Sequence, residues 1–256
     1  MNVLTKYQMQ VIDLNCDMGE LQSHQKRNFD EEIMPYISSC NIACGFHSGT
    51  PLLIERTIKI AIKYQVKIGA HPSYNDRENF GRVSMEVDRL KLLSELKYQI
   101  CAVKGMVESF GQKLNHVKPH GALYNDMIVD QTLANQVIQL IKSIDPTLKI
   151  VTLAHSQVID ICRENKMEFI HEGFADRCYQ KINQLRSRNL EGAVLENPKD
   201  ILQQIDNFVQ GKVQLYDSEF CPIQVESICL HSDTKGAVKL SEMIYNFLKE
   251  KNIRIG

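Results

Sequence analysis

Two short stretches of the chain carry more chemistry than a folding core needs. In "VKPHGALYN" (117–125) a lysine and a histidine stand two residues apart with a proline between them. In a strand, Lys118 and His120 would share one face, because side chains alternate with a period of two. Proline lacks the N–H that a sheet interior requires, so the strand must end here and open into a loop. In "VIDLNCD" (11–17), Asp13, Asn15 and Asp17 alternate with Leu14 and Cys16. One face of that strand is polar, and an unpartnered carboxylate in a core is costly. Carboxylates, imidazole and ammonium in one pocket push each other's pKa values apart, which supports general acid and base work.

Residues of the same types recur along the chain: Glu20, then Asn41 and His47, then His71, Asp76 and Arg77, then Glu172, Asp176 and Arg177, and last His231 and Asp233. His47 and His71 follow small residues, in "GFH" and "GAHP", which leaves room for a ligand, although a satisfied core histidine is the alternative. His116 has the parity of Lys118 but opens its strand, where a structural role is expected. His24 and His171 carry weaker signals, and His155 ends a strand without polar company. Asp176-Arg177 reads either as a substrate contact or as an ion pair that holds a loop. No GxSxG elbow and no cysteine in a nucleophile's setting is present, so an activated water is the expected nucleophile of a hydrolase. A carboxylate or histidine base can activate it, and so can a divalent metal on Asp17, His47 and His71; both routes stay open.

These residues need elements that bring them together. Short β-rich apolar runs alternate with segments of helical period, the mark of parallel βα units. Seven strands are expected, at 11–17, 40–46, 66–72, 115–120, 148–155, 167–174 and 225–232. Helices are expected to start at Thr50-Pro51 and Asn197-Pro198, an N-cap followed by proline at the first helical position. Others are expected over 86–110, 130–144, 156–165 and 234–250, with Gly111 and Gly211 as helix ends. The stretch "GMVESFGQKL" superficially matches a P-loop, but its spacing is wrong and it ends a helix where a P-loop begins one. Without a dinucleotide-binding glycine fingerprint, the expectation is a single-domain (β/α) barrel over 1–256. Every polar candidate then lies at a strand's C-terminal end, on one rim.

Composition sets outer bounds. Thirty basic and 31 acidic residues give a net charge of −1, which offers no electrostatic footprint for nucleic acid or an acidic membrane. No apolar run approaches a membrane span, and the first twenty residues lack the charged and apolar regions of a leader. Eight cysteines without a CxxC, mostly in apolar segments, fit a reducing compartment, so a soluble cytoplasmic chain is expected.

The motifs "DLNCDMGE", "CNIACGFHSG", "GAHPSYNDRENFGR", "HVKPHGALYND", "FADRCY" and "CLHSD" together resemble those of the LamB/YcsF family, the A subunits of bacterial 5-oxoprolinase. The resemblance runs from about residue 11 to the C-terminus. It implies a distorted seven-stranded barrel and an ATP-dependent opening of 5-oxo-L-proline to L-glutamate, with Mg2+ accompanying the nucleotide and with B and C subunits as partners. A homo-oligomer stays open. Carried over position by position, it implies catalytic roles for Asp13, Asp17, His71, Lys118, His120 and Asp176. Substrate contacts fall to Asn15, Glu20, Asn41, His47, Tyr124, Arg177, His231 and Asp233. Lys118 and Arg177 would meet carboxylate or phosphoryl charge while Asp17 or His120 activates water. Phe80, Gly81, Arg82 and Arg188 also match. Thr50, Ser232 and Ile182-Asn183 depart from the family pattern at the pocket's flanks. The rival readings are a stand-alone metal hydrolase such as a deacetylase, and a binding subunit that delivers substrate to its partners.

Overall fold

The computed structural model describes residues 10–21, 29–232 and 236–256. Seven parallel strands close into a barrel: β1 (Val11–Met18), β2 (Ser39–Ala43), β3 (Lys67–His71), β4 (His116–Val117), β5 (Lys149–Leu153), β6 (Phe169–Phe174) and β7 (Ser227–Leu230). They pair in chain order, and β7 closes on β1 with Asp13 beside Ser227 and Asn15 beside Cys229. The expected fold class and strand count are therefore met. All but β1, which runs one residue further, are shorter than the sequence suggested; β4 keeps two residues, because Pro119 stops the ladder two residues after Val117.

Each strand buries two faces with different partners. On β1, Leu14, Cys16 and Met18 point out against the helical layer and are fully buried, while Asp13, Asn15 and Asp17 alternate with them toward the interior. The helices cover the outside with apolar stripes at helical spacing. Helix α1 (Pro51–Lys63) buries Ile54, Ile58 and Ala61, and Thr50 caps it by accepting from the Leu53 N–H at 3.2 Å. Helix α6 (Pro198–Val209) buries Ile201, Ile205 and Phe208, and Asn197 caps it. Between them run α2 (Arg89–Ser109), α3 (Gly121–Val129), α4 (Gln131–Ile144) and α5 (Gln157–Glu164), and α7 (Ala237–Glu250) closes the ring. Gly111 and Gly211 end their helices with φ of +72° and +74°, the left-handed conformation that glycine adopts without a Cβ penalty.

Three features were not foreseen. Helix α3 starts directly after His120, where Gly121 reads as a turn residue in sequence. Gly121 stands there because its φ is +54° and a Cβ would lie 2.5 Å from the Gly81 carbonyl oxygen. Two small antiparallel pairs decorate the loops: Tyr179–Lys181 with Gln184–Leu185, turning at Ile182-Asn183, and Lys212–Gln214 with Phe220–Pro222. A last strand, Arg254–Ile255, pairs with Val11 and Ile12 at the base of β1, which starts before its neighbour β7 does. No described helix is long and apolar enough to cross a membrane.

The barrel interior is tight enough to dictate a residue. A Cβ on Gly69 would lie 2.1 Å from His116 Nε2, whereas a Cβ on the mid-helix Gly105 meets nothing within 4 Å. Gly69→Ala is expected to lower stability by about 2–3 kcal/mol through overpacking. Gly105→Ala should raise stability by up to ~1 kcal/mol. Chemical denaturation of the two variants checks both signs.

Candidate active site

The interior is polar, and its polar groups satisfy one another in tiers. At the N-terminal end of the barrel, the carboxylate of Asp13 accepts from the hydroxyls of Ser38, Ser39 and Ser227. Asp13 is thereby tied to three serine hydroxyls at the base, below His116, whose pKa its charge raises against the effect of burial. Above it, Asn15 donates to Ser227 at 2.8 Å and to Glu172 at 3.1 Å. Asn41 donates to Asn15 Oδ1 and Asp17 Oδ1, each at 2.8 Å, and accepts from His116 Nε2 at 2.7 Å. Burial first, and the Lys118 charge after it, hold the His116 imidazole down at about 4, so it stays neutral beneath the site.

Lys118 is the hub of the next tier. The residue is 2% exposed, and Nζ lies 3.0 Å from Asp17 Oδ1, 2.8 Å from Glu172 Oε1 and 3.0 Å from Cys229 Sγ. Burial alone would lower the Lys118 pKa, but Asp17, Cys229 and Glu172 outweigh it and hold the ammonium charged. Burial likewise pushes the Asp17 carboxyl up, and His71 and Lys118 together overcome it, leaving Asp17 well below the usual carboxylate range. Tyr124, from the first turns of α3, donates its hydroxyl to Glu172 Oε2 at 2.8 Å. Two carboxylates therefore take up the Lys118 charge before any ligand arrives.

The end of β3 and the segments after β1, β2 and β4 bring His71, Glu20, His47 and His120 to one point at the C-terminal end. His71 Nδ1 donates to the Lys118 carbonyl at 2.6 Å, and His120 Nε2 donates to the Phe80 carbonyl at 2.8 Å. The other nitrogens, His71 Nε2 and His120 Nδ1, face each other at 2.9 Å. Asp17 Oδ2 lies 3.3 Å from His71 Nε2, and Glu20 Oε1 is 2.9 Å from His47 Nε2. His47 stacks on His120 with centroids 3.8 Å apart, and Phe80 sets its ring edgewise against both. Burial and the neighbouring rings push the His47 and His120 pKa values down, so both imidazoles are neutral bases. Phe80 adopts a φ of +56°, an unfavourable backbone that aims its carbonyl at His120. Arg77 braces the neighbouring loop by donating to the carbonyls of Gly45 and Gly49.

Asp17, His71, Lys118 and His120 open into a cavity of about 580 Å³ whose mouth is cationic, with Arg82, Arg177, Arg186 and Arg188 in its wall. Arg177 is buried and donates to the carbonyls of Ala193 and Arg186. Burial and then Arg188 bring its pKa to about 10, which still leaves it charged at neutral pH. Asp176 does not stand alone: both its oxygens lie 3.0 Å from His231 Nδ1, and Arg188 reaches His231 Nε2 at 3.4 Å. His155 and His171 do not line this cavity, and Asp233 and His24 lie outside the described residues. Arg186 and the Cys229 contact to Lys118 were not anticipated. The pattern "QLRSRNL" places two arginines at alternate positions after a turn, which is the signal that points to the mouth.

The Lys118 cluster makes a quantitative prediction. Replacing Lys118 by Met strands Asp17 and Glu172 as buried carboxylates and is expected to cost about 3–5 kcal/mol. Adding Glu172→Gln to Lys118→Met should recover part of that loss. Urea denaturation of the two single variants and the double measures the coupling.

Known proteins bear directly on this site. Residues 12–256 match the model of the LamB/YcsF family. The A subunit of 5-oxoprolinase from Acinetobacter baumannii is 42% identical over 245 residues, covering 95% of this chain and 96% of the relative. Its counterpart from Pyrococcus furiosus is 39% identical over the same length and the same shares of both chains. The crystal structure of a lactam utilization protein from Thermus thermophilus superposes with a TM-score of 0.89 at 30% identity, covering 96% of this chain and 99% of that one. The barrel, its inward histidines and lysine, and these matches along nearly the whole length agree: the chain belongs to the LamB/YcsF family.

Proposed function

We propose that this chain is the A subunit of a 5-oxoprolinase, which uses ATP to open the lactam of 5-oxo-L-proline to L-glutamate and works in the cytoplasm with B and C subunits. The observation that supports this most is the vertical order of charge in the cavity: proton acceptors at the floor, arginines at the mouth. A ring acid with one carboxylate and one amide fits that order. Its carboxylate meets Arg177 and Arg188, since guanidinium groups bind carboxylates through paired charge-assisted hydrogen bonds. Its amide then descends toward Asp17, His71 and His120. The relatives' names support the substrate class, and eight free thiols suit a reducing compartment.

The chemistry follows from these positions. Water at the floor adds to the amide carbon, the ring C–N bond breaks, and the departing nitrogen takes a proton. Asp17, an ionised carboxylate at the floor despite its burial, suits the role of base. His120, its Nδ1 aimed into the site because Nε2 is bonded to the Phe80 carbonyl, holds the floor around the water. A five-membered lactam is favoured over its open amino acid, so ATP must drive the reaction; phosphorylating the amide oxygen before water attacks does so and releases phosphate and ADP. The cavity is roomier than one small ring acid requires, and its arginines suit a phosphoryl group. Lys118 serves by holding Asp17 ionised and Glu172 in place, and Asp176 holds His231. In the metal-hydrolase alternative the same floor residues act on an amide without ATP.

The test is ATP-dependent release of glutamate from 5-oxo-L-proline by this chain mixed with B and C subunits. His120→Asn is expected to abolish turnover while the complex still assembles. Arg188→Gln should raise KM about tenfold or more, the loss of one charge-assisted contact, with kcat changed far less. An assembled mixture that consumes no 5-oxoproline overturns the reading.

A further inference from the structure

The facing lone pairs at the floor of the site demand a positive particle between them. A backbone carbonyl only accepts, so His71 commits its N–H to Lys118 O and His120 commits its N–H to Phe80 O. Each ring, if neutral, then presents a bare lone pair to the other at 2.9 Å, and two acceptors at that distance repel. Glu20 Oε1 adds negative charge 3.9 Å from His71 Nε2 and 3.7 Å from His120 Nδ1, and Asp17 Oδ2 adds more at 3.3 Å from His71 Nε2. Either an extra proton or a metal cation must occupy this point.

We propose that a resident divalent transition cation of the zinc type is held there by His71 Nε2, His120 Nδ1 and Glu20 Oε1, with Asp17 Oδ2 beside them. The proton is the weaker occupant, because on His71 Nε2 it bonds His120 Nδ1 but leaves Glu20 Oε1, at 3.9 Å, beyond hydrogen-bond reach. A cation answers His71 Nε2, His120 Nδ1 and Glu20 Oε1 at once. In a tetrahedral site with bonds of ~2.0–2.1 Å, ligand atoms stand roughly 3.3 Å apart. The distances found here, from 2.9 to 3.9 Å, bracket that spacing. Metal-bound histidines characteristically donate their second N–H to a carbonyl, which fixes the ring and its tautomer, and both rings here do so.

His47 belongs to the support and not to the ligands. Its Nδ1 is buried and has no hydrogen-bond partner, so a proton there would be stranded. The proton therefore sits on Nε2 and is donated to Glu20 Oε1 at 2.9 Å, which aims that carboxylate at the cation. This assignment differs from the set of Asp17, His47 and His71 that the sequence suggests. A cation at the floor supplies Lewis acidity to a carbonyl or water there.

Metal content decides the matter without any activity assay, so its outcome is independent of the 5-oxoproline reading. The chain, expressed with zinc, manganese and cobalt supplied in turn, is expected to carry about one equivalent of a single metal by mass spectrometry. After chelation, the wild-type chain should take up Co2+ with a visible absorption band characteristic of histidine and carboxylate ligation. His120→Ala and Glu20→Gln should each lose the metal, whereas Arg186→Gln, in the cationic wall of the cavity, should keep it. His47→Gln should weaken binding without changing the stoichiometry. A folded wild-type chain that binds none of the three ions, and whose imidazole NMR signals show one shared proton at the floor, overturns the proposal. So does metal retention in folded His120→Ala.

Discussion

A single ammonium group, at Lys118, organises the interior of this barrel. It is buried between Asp17 and Glu172, contributed by strands on different arcs of the wall, and a buried carboxylate stripped of such a partner is costly. Through Asp17 it sets the charge next to His71, and through Glu172 it fixes the hydroxyl of Tyr124 and the amide of Asn15. The residues around it are polar because each must satisfy the next. The barrel has a hydrogen-bonded network for a core where most barrels have layers of branched aliphatic side chains.

The cluster therefore divides labour by height. Asp13 and its three serines hold the base, Lys118 and its carboxylates form the middle, and the histidines with Glu20 make the working floor. The arginines ring the mouth. Proton acceptors stay where water is scarce, and fixed positive charge stays where an anion enters from solvent. The Lys118 charge, which the sequence offered as a contact for substrate carboxylate or phosphoryl oxygen, is already paired with Asp17 and Glu172 inside the wall, and in the proposed reading Arg177 and Arg188 take over the anion.

Much of this was legible in the sequence for a geometric reason. A period of two puts Asp13, Asn15 and Asp17 on one face, and the rule that polar groups collect at the C-terminal ends of parallel strands brings His47, His71 and His120 together. What escaped depends on closure. Lys118 meets Glu172 only because the sheet rolls up, so nothing local announces that its charge is already matched. The tautomer of His120 depends on the Phe80 backbone, a non-glycine residue at positive φ that no composition rule flags. Helix α3 escaped because it is short and opens with glycine. The base of the barrel escaped because Ser38, Ser39 and Ser227 are residues that elsewhere signify loops and caps.

The pairing of β1 with β7 has a consequence for biogenesis. Residues 13 and 227 are neighbours in the closed sheet, so the first strand waits for the seventh through nearly the whole of synthesis. Until β7 emerges from the ribosome, β1 has only one partner, and the interior faces that hold Asp17, Lys118 and Glu172 stand open to water. Hydration keeps those charges soluble during that interval, where an aliphatic interior would invite other chains to stick. A polar barrel of this kind tolerates a slow, non-local final step. The same groups that make the pocket reactive when shut make the nascent chain safe while it is open.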